Sequence, residues 1–228
     1  ALILGKFLTD FTAEELADFA SKAYADEKFG GADTAPVVKL GEGKNLLELW
    51  HGPTCAFKDM ALQMLPHLLT ASLRKTGETR TACILVATSG DTGKAALDGF
   101  HDVPGTKIMV YYPVDGVSPM QKLQMVTQEG RNVEVVAIRG NFDDAQSAVK
   151  RIFTDEDTRA ALDKDGMMLS SANSINWGRL APQIAYYVSA YCDMVAAGTV
   201  AQGDKINVCV PTGNFGNILA AYIAKKMG

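Results

Sequence analysis

A lysine becomes a chemical reagent only where water no longer stabilises its ammonium, and Lys58 has a sequence setting suited to that. It ends the segment His51-Gly52-Pro53-Thr54-Cys55-Ala56-Phe57-Lys58 and is followed by Asp59. Upstream, Asn45 to Trp50 reads as a strand that stops at the Gly52-Pro53 turn. Downstream, Met60-Ala61-Leu62-Gln63-Met64-Leu65 opens an apolar helix in which Pro66 predicts a kink. Lys58 therefore falls at a turn-to-helix junction beside Phe57. A lysine there either snorkels its charge to water or is desolvated enough to act as a nucleophile or base. The position alone leaves both readings open.

Two glycine-bearing loops are the other candidate sites. Thr88-Ser89-Gly90-Asp91-Thr92-Gly93 separates a fully apolar run, Ala82 to Ala87, from a helical pattern. Free N–H groups and the helix dipole make such an end an anion site; an N-cap by Asp91 or Thr92 explains the same residues. A nucleotide-binding P-loop does not fit. Thr88 stands where that motif needs glycine, and Ala95 where it needs a hydroxyl after Lys94. The second loop, Gly213-Asn214-Phe215-Gly216-Asn217, follows the strand-like run Ile206 to Val210. Its glycines let backbone approach a ligand, and successive amides can cradle a phosphate.

The elements that position these loops alternate. Thr12-Ala13-Glu14-Glu15 is a capping box that starts a helix over about 13–25, and Gly30-Gly31-Ala32-Asp33 breaks the pattern. Strands are expected at Ala82–Ala87, Lys107–Tyr112, Val133–Ile138 and Ile206–Val210. Helices are expected at Thr92–Phe100, from Ser118-Pro119-Met120-Gln121, at Asp143–Phe153, at Trp177–Ala197 despite Pro182, and from the second loop to Gly228. This order predicts an open α/β fold with parallel sheet. Its expected parts are residues 1–79 with the first helix and Lys58, a small α/β lobe over 80–165, and a return to the larger lobe over 166–228.

Composition narrows the function classes. The 228 residues are 47% hydrophobic and 21% charged, the balance of a soluble chain with a substantial core. A net charge of -4 argues against a nucleic-acid partner, but not against small anions held by local amides. No apolar run approaches the length of a membrane span, and Ala1–Lys6 lacks the pattern of a signal peptide. Cys55, Cys83, Cys192 and Cys209 have no CxxC spacing; Cys83 and Cys209 lie in apolar runs, which predicts buried thiols in a reducing cytoplasm. His51, His67 and His101 are too dispersed for a metal site.

The segments His51–Asp59, Ala87–Gly93, Ser171-Ala172-Asn173-Ser174-Ile175-Asn176-Trp177 and Pro211–Asn217 together resemble the signatures of the threonine synthase family, in family order. The likeness runs from about Leu46 to Gly228 and is specific to the longer bacterial and fungal branch. It implies a fold-type-II enzyme, related to the tryptophan synthase β fold, with two open parallel-sheet lobes and pyridoxal 5'-phosphate (PLP) as cofactor. A reactive lysine, a phosphate cup and an anion site for a carboxylate all sit on strand–turn–helix corners, where open α/β sheets bind ligands.

By that resemblance Lys58 carries PLP as an imine and later serves as a base, and Gly213, Asn214, Phe215, Gly216 and Asn217 hold its phosphate. Ser89, Gly90, Asp91 and Thr92 face the substrate carboxylate and the cofactor ring, with Asp91 standing where many fold-type-II relatives carry asparagine. The segment from Ala172 to Asn176 either lines the cleft or simply caps a helix through Asn173 or Ser174. The implied substrate is O-phospho-L-homoserine, converted with water to L-threonine and phosphate. The rivals are another fold-type-II elimination from a hydroxy- or phospho-amino acid, and a non-catalytic fragment or binding domain. The family extends beyond Gly228 and begins before Ala1, so the chain reads as a fragment. The contact to the pyridine nitrogen is expected beyond it, which puts the fragment's own turnover in question.

Overall fold

The computed structural model describes residues 1–31, 33–174, 176–211 and 215–228. A short 3-10 turn, Leu4–Lys6, precedes α1, Ala13–Ala23. The capping box at its start is formed in full: Glu15 N–H donates to Thr12 Oγ1 (3.2 Å) and Thr12 N–H to Glu15 Oε2 (2.9 Å). Its apolar face, Leu16, Phe19 and Ala23, packs with Leu4, Phe11, Met64, Leu68 and Ala181. After α2, Asp26–Phe29, come β1, Val37–Gly41, and β2, Lys44–Leu47, paired as an antiparallel hairpin. The expected strand through Trp50 thus ends at Leu47, and Trp50 is exposed.

The helix expected to kink at Pro66 is instead two helices, α3, Asp59–Leu62, and α4, Leu65–Lys75. Pro66 sits in the first turn of α4, where a missing N–H costs no intrahelical bond.

The parallel sheet is built from β3, Thr81–Ala87, β4, Thr106–Pro113, β5, Val133–Ile138, and β6, Met167–Ser171, in the order β5-β4-β3-β6. The helices between them are α5, Asp91–Phe100, α6, Pro119–Val126, α7, Phe142–Thr154, and α8, Glu156–Lys164. Alternation along the strands divides the core. Ile84, Val86, Ile108 and Val110 pack with Ala96, Leu97, Phe100, Met125 and Leu62. Leu85 and Ala87 pack on the other face with Ala145 and Val149 of α7. The pair α8–β6 was not among the expected elements; β6 follows the boundary drawn at residue 165 and hydrogen-bonds to β3.

The chain then crosses back through α9, Trp177–Ala196, and ends in α10, Gly216–Met227, with Leu180 and Ile184 buried against Ala220. Two expectations are corrected here. Ile206–Val210 forms no strand: it pairs with no other strand among the described residues, and Val208 is half exposed. A strand exists only through a neighbour that takes its N–H and C=O groups. Cys209 in that run is consequently exposed, as are Cys55 and Cys192, and Cys83 is half-buried, so the buried-thiol reading fails. None of the helices among the described residues is long and apolar enough to cross a membrane.

Gly99 sets the distance between α5 and α3. A Cβ at Gly99 would overlap the backbone carbonyl oxygen of Leu62, which cannot swing aside as a side chain could. Gly99→Ala should therefore destabilise the fold by about 1–3 kcal/mol, the range for overpacking. Gly41→Ala, where a Cβ meets nothing within 4 Å, is the control. Urea titration of both variants checks this: the midpoint should fall for Gly99→Ala alone, with the slope unchanged.

Candidate active site

The turn that presents Lys58 is organised by a carboxylate with no exposure to water. Asp59 accepts from Thr54 Oγ1 (2.6 Å), Thr54 N–H (2.9 Å) and Ala56 N–H (3.4 Å), and is 0% exposed. Burial pushes the Asp59 carboxyl above its usual range, and these three hydrogen bonds oppose the push. Gly52 belongs to the same arrangement, since a Cβ there would lie 2.6 Å from the Asp59 carboxylate. Cys55 takes a φ of 55°, the left-handed conformation the tight turn needs. Lys58 follows as the residue that opens α3.

Lys58 is half-buried, and its ammonium lies 3.9 Å from Asp91 Oδ2 at the head of α5. Burial lowers its proton affinity; Asp91 pulls it back up, while Arg179 and Lys94 push it further down. Lysine with a weakened hold on its proton is the form that can act as nucleophile or base. Asp91 Oδ1 accepts from Gln121 Nε2 (2.8 Å) and lies 3.5 Å from Lys94 Nζ. Burial works against the Asp91 anion, yet Gln121 and the charges of Lys58 and Lys94 hold its carboxyl below the usual range.

The loop ahead of α5 turns on Gly90, whose φ of 147° suits glycine and over which Gln121 packs too closely for a Cβ. Thr88 Oγ1 accepts from the N–H groups of Gly90 and Gly93, both at 3.0 Å. The N–H groups of Asp91 and Thr92, in the first helical turn, have no intrahelical acceptor. Ser89 is exposed, while Asp91 and Thr92 are half-buried. Neither Asp91 nor Thr92 caps α5 with its side chain; the capping residue is Gly90.

Arg179 was not foreseen from the sequence. It is 6% exposed, and its guanidinium donates to Ala172 O (2.9 Å) and Thr92 Oγ1 (3.4 Å), with no carboxylate partner among the described residues. Burial pushes it down to about 10. A buried guanidinium without a counter-ion, beside a helix N-terminus, suits an anionic ligand. The only signal in the sequence is its place six residues after Asn173, one turn into an apolar helix. Asn176, rather than Asn173 or Ser174, caps α9, accepting from Gly178 N–H (2.9 Å). Asn173 Oδ1 is buried with no hydrogen-bond partner among the described residues.

Of the second loop, Gly213 and Asn214 lie outside the described residues. Phe215 is exposed and precedes α10, and Gly216 is its first residue. The Asn217 side chain points into the protein, where its Oδ1 accepts from the hydroxyls of Tyr186 and Tyr187. Among the described residues, no three His, Cys, Asp or Glu side chains gather as a metal site requires. A separate cavity of about 700 Å³, lined by Arg80, Phe153, Arg159 and Leu169 among others, shares no residue with the Lys58 cluster.

The family model for pyridoxal-phosphate dependent enzymes matches residues 40–228. Threonine synthase-like 1 of Homo sapiens is 44% identical over 225 residues, covering 96% of this chain and 30% of that protein. Threonine synthase of Pseudomonas aeruginosa is 40% identical over 226 residues, covering 98% of this chain and 46% of that protein. Among solved structures, the PLP-bound threonine synthase from Brucella melitensis superposes with a TM-score of 0.83 at 40% identity, over 99% of this chain and 47% of that one. The chain thus spans less than half the length of each of these relatives.

Removal of the organising carboxylate tests the turn. Asp59→Ala leaves the Thr54 N–H and hydroxyl without their acceptor, and buried donors left unpaired cost about 1–3 kcal/mol. The variant should melt at lower temperature, and amide hydrogen exchange should accelerate first at residues 54–59. Uniform acceleration over the whole chain would contradict a local organising role.

Proposed function

We propose a reaction from one premise: the chain belongs to the pyridoxal-phosphate-dependent enzyme family, as a threonine synthase-like member. The residues present fit the cofactor. Lys58 is a half-buried amine with a weakened hold on its proton, Asn173 Oδ1 awaits a donor, and Arg179 is a buried cation without a counter-ion among the described residues. PLP supplies an electron sink for the charge left when a proton is taken from the carbon bearing the amino group.

The reaction is conversion of O-phospho-L-homoserine and water to L-threonine and phosphate. Lys58 would hold the cofactor through its Nζ, and that amine, when free, would take the proton at Cα and then the one at Cβ. The N–H groups of Asp91 and Thr92, with Ser89 and Gly90, receive the substrate carboxylate at the positive end of α5. Arg179, hydrogen-bonded to Thr92, adds positive charge to that same corner. Phosphate leaves from Cγ with the electrons of the C–O bond, Cγ gains a proton to become the methyl group, and the hydroxyl of water is added at Cβ as a proton returns to Cα. Gly213 to Asn217 would take the cofactor phosphate on backbone amides, and the Asn217 side chain accepts from the hydroxyls of Tyr186 and Tyr187. The site works in the cytoplasm.

The observation that carries this reading is the likeness to a PLP-bound threonine synthase over 99% of the chain. A second reading, elimination from a different phospho- or hydroxy-amino acid, draws support from the 44% identity to threonine synthase-like 1. Assay of threonine and of keto-acid products on O-phospho-L-homoserine and O-phosphoserine separates them: threonine as the main product supports the first.

Two further outcomes are expected. Borohydride treatment with PLP should fix the cofactor on the peptide containing Lys58, and Lys58→Ala should abolish this; fixation on another lysine overturns the assignment. Gly216→Val should weaken PLP binding at least tenfold while leaving the fold intact. Among the described residues a Cβ there meets Ser174 Cβ alone, at 3.9 Å, and Gly216 has no left-handed φ. Unchanged affinity by fluorescence titration would place the phosphate elsewhere.

A further inference from the structure

Lys94 lies in the second turn of α5 and is 7% exposed. A buried ammonium is costly unless its hydrogens are used, and the partners it uses all belong to the Lys58 cluster. Its Nζ donates to the Thr54 carbonyl (2.7 Å) and lies 3.5 Å from Asp91 Oδ1. Thr54 is the residue whose N–H and hydroxyl bind Asp59, so Lys94 grips the same turn from its other side. Asp91 Oδ1 is shared with Gln121, whereas Oδ2 faces Lys58 at 3.9 Å, beyond hydrogen-bond length.

We propose that Lys94 is a positioning residue for Lys58: it ties the lysine-bearing turn to the head of α5 through the Thr54 carbonyl and, by its charge on Asp91 Oδ1, leaves Lys58 in a long ion pair with Oδ2 rather than a direct hydrogen bond. This deepens the proposed function, resting on Lys58 as the reactive amine. The packing alone would need only a donor for Thr54, which Gln124 Nε2 already approaches at 3.5 Å. The charge does what a neutral donor cannot. The charged groups facing Lys58 are Asp91 and Lys94 from α5 and Arg179 from α9, while the adjoining Asp59 is engaged by Thr54 and Ala56. Burial lowers the proton affinity of Lys58 most; Asp91 opposes it, and Arg179 and Lys94 add to it.

The test reads the acidity of Lys58 directly, without cofactor or turnover. Trace acetic anhydride is applied over a pH series, and acetylation of the Lys58 peptide is measured by mass spectrometry against the exposed Lys39. In Lys94→Met the midpoint for Lys58 should rise by about one pH unit, roughly a tenfold slower labelling below the midpoint. Lys94→Arg should restore it. If Lys94→Met does not fold by circular dichroism, Lys94→Gln, which retains a donor, gives the same upward shift. A folded neutral variant with the wild-type midpoint overturns the proposal and leaves Lys94 as packing only. Borohydride fixation on a different lysine would instead overturn the role of Lys58, whatever the midpoint does.

Discussion

The site depends on a single buried carboxylate. Asp59 has three hydrogen bonds to the turn just before it and no exposure to solvent. That arrangement costs desolvation of a charge, which the amides and hydroxyl of Thr54 and Ala56 offset. In return the turn has one conformation, with Gly52 pressed against the carboxylate and Cys55 in the left-handed region. Lys58 is then delivered at the start of α3 with its side chain directed at α5. A looser turn would let a four-carbon side chain find water, and its proton would be held as tightly as in any surface lysine.

Position along α3 is not enough without closeness to α5. Gly99 supplies it by allowing the helix backbone to meet Leu62, and the cluster of Leu62, Leu97 and Phe100 beneath makes that contact part of the core. The electrostatic arrangement above is a consequence of this packing. Lys58, Lys94, Asp91 and Arg179 come from three helices, α3, α5 and α9, and each is half-buried or buried. At reduced dielectric their mutual effects exceed those of surface pairs and are screened less by salt.

Local signals in the sequence were enough for much of the frame. The capping boxes at Thr12 and Ser118 formed as their spacing requires, because such caps involve only residues three apart. The apolar run Ala82–Ala87 became the central strand β3, its neighbours on both sides needing no polar face. What escaped was decided by distant partners. Met167–Ser171, too short and mixed to stand out as a strand, becomes one by pairing with β3. Ile206–Val210 looks like a strand, yet has no neighbour among the described residues to pair with. Lys94 has no local signature and Arg179 only its place in an apolar helix, since their hydrogen-bond partners, Thr54 and Ala172, lie far from Lys94 and outside the helix of Arg179.

The last link runs from charge to ligand. The chain as a whole is acidic, with a net charge of -4, while its reactive corner gathers Lys58, Lys94 and Arg179 around one carboxylate. Asp91 is loaded from both sides, so it neutralises only part of this charge. The proposed substrate, with a carboxylate at one end and a phosphate at the other, would bring negative charge to this cluster. It would supply fixed anionic partners at Arg179 and the head of α5. The same anions would raise the proton affinity of Lys58 as they bind, readying it to accept a proton only once substrate is in place. On the proposed reaction, burial of the cations would serve binding and proton transfer together.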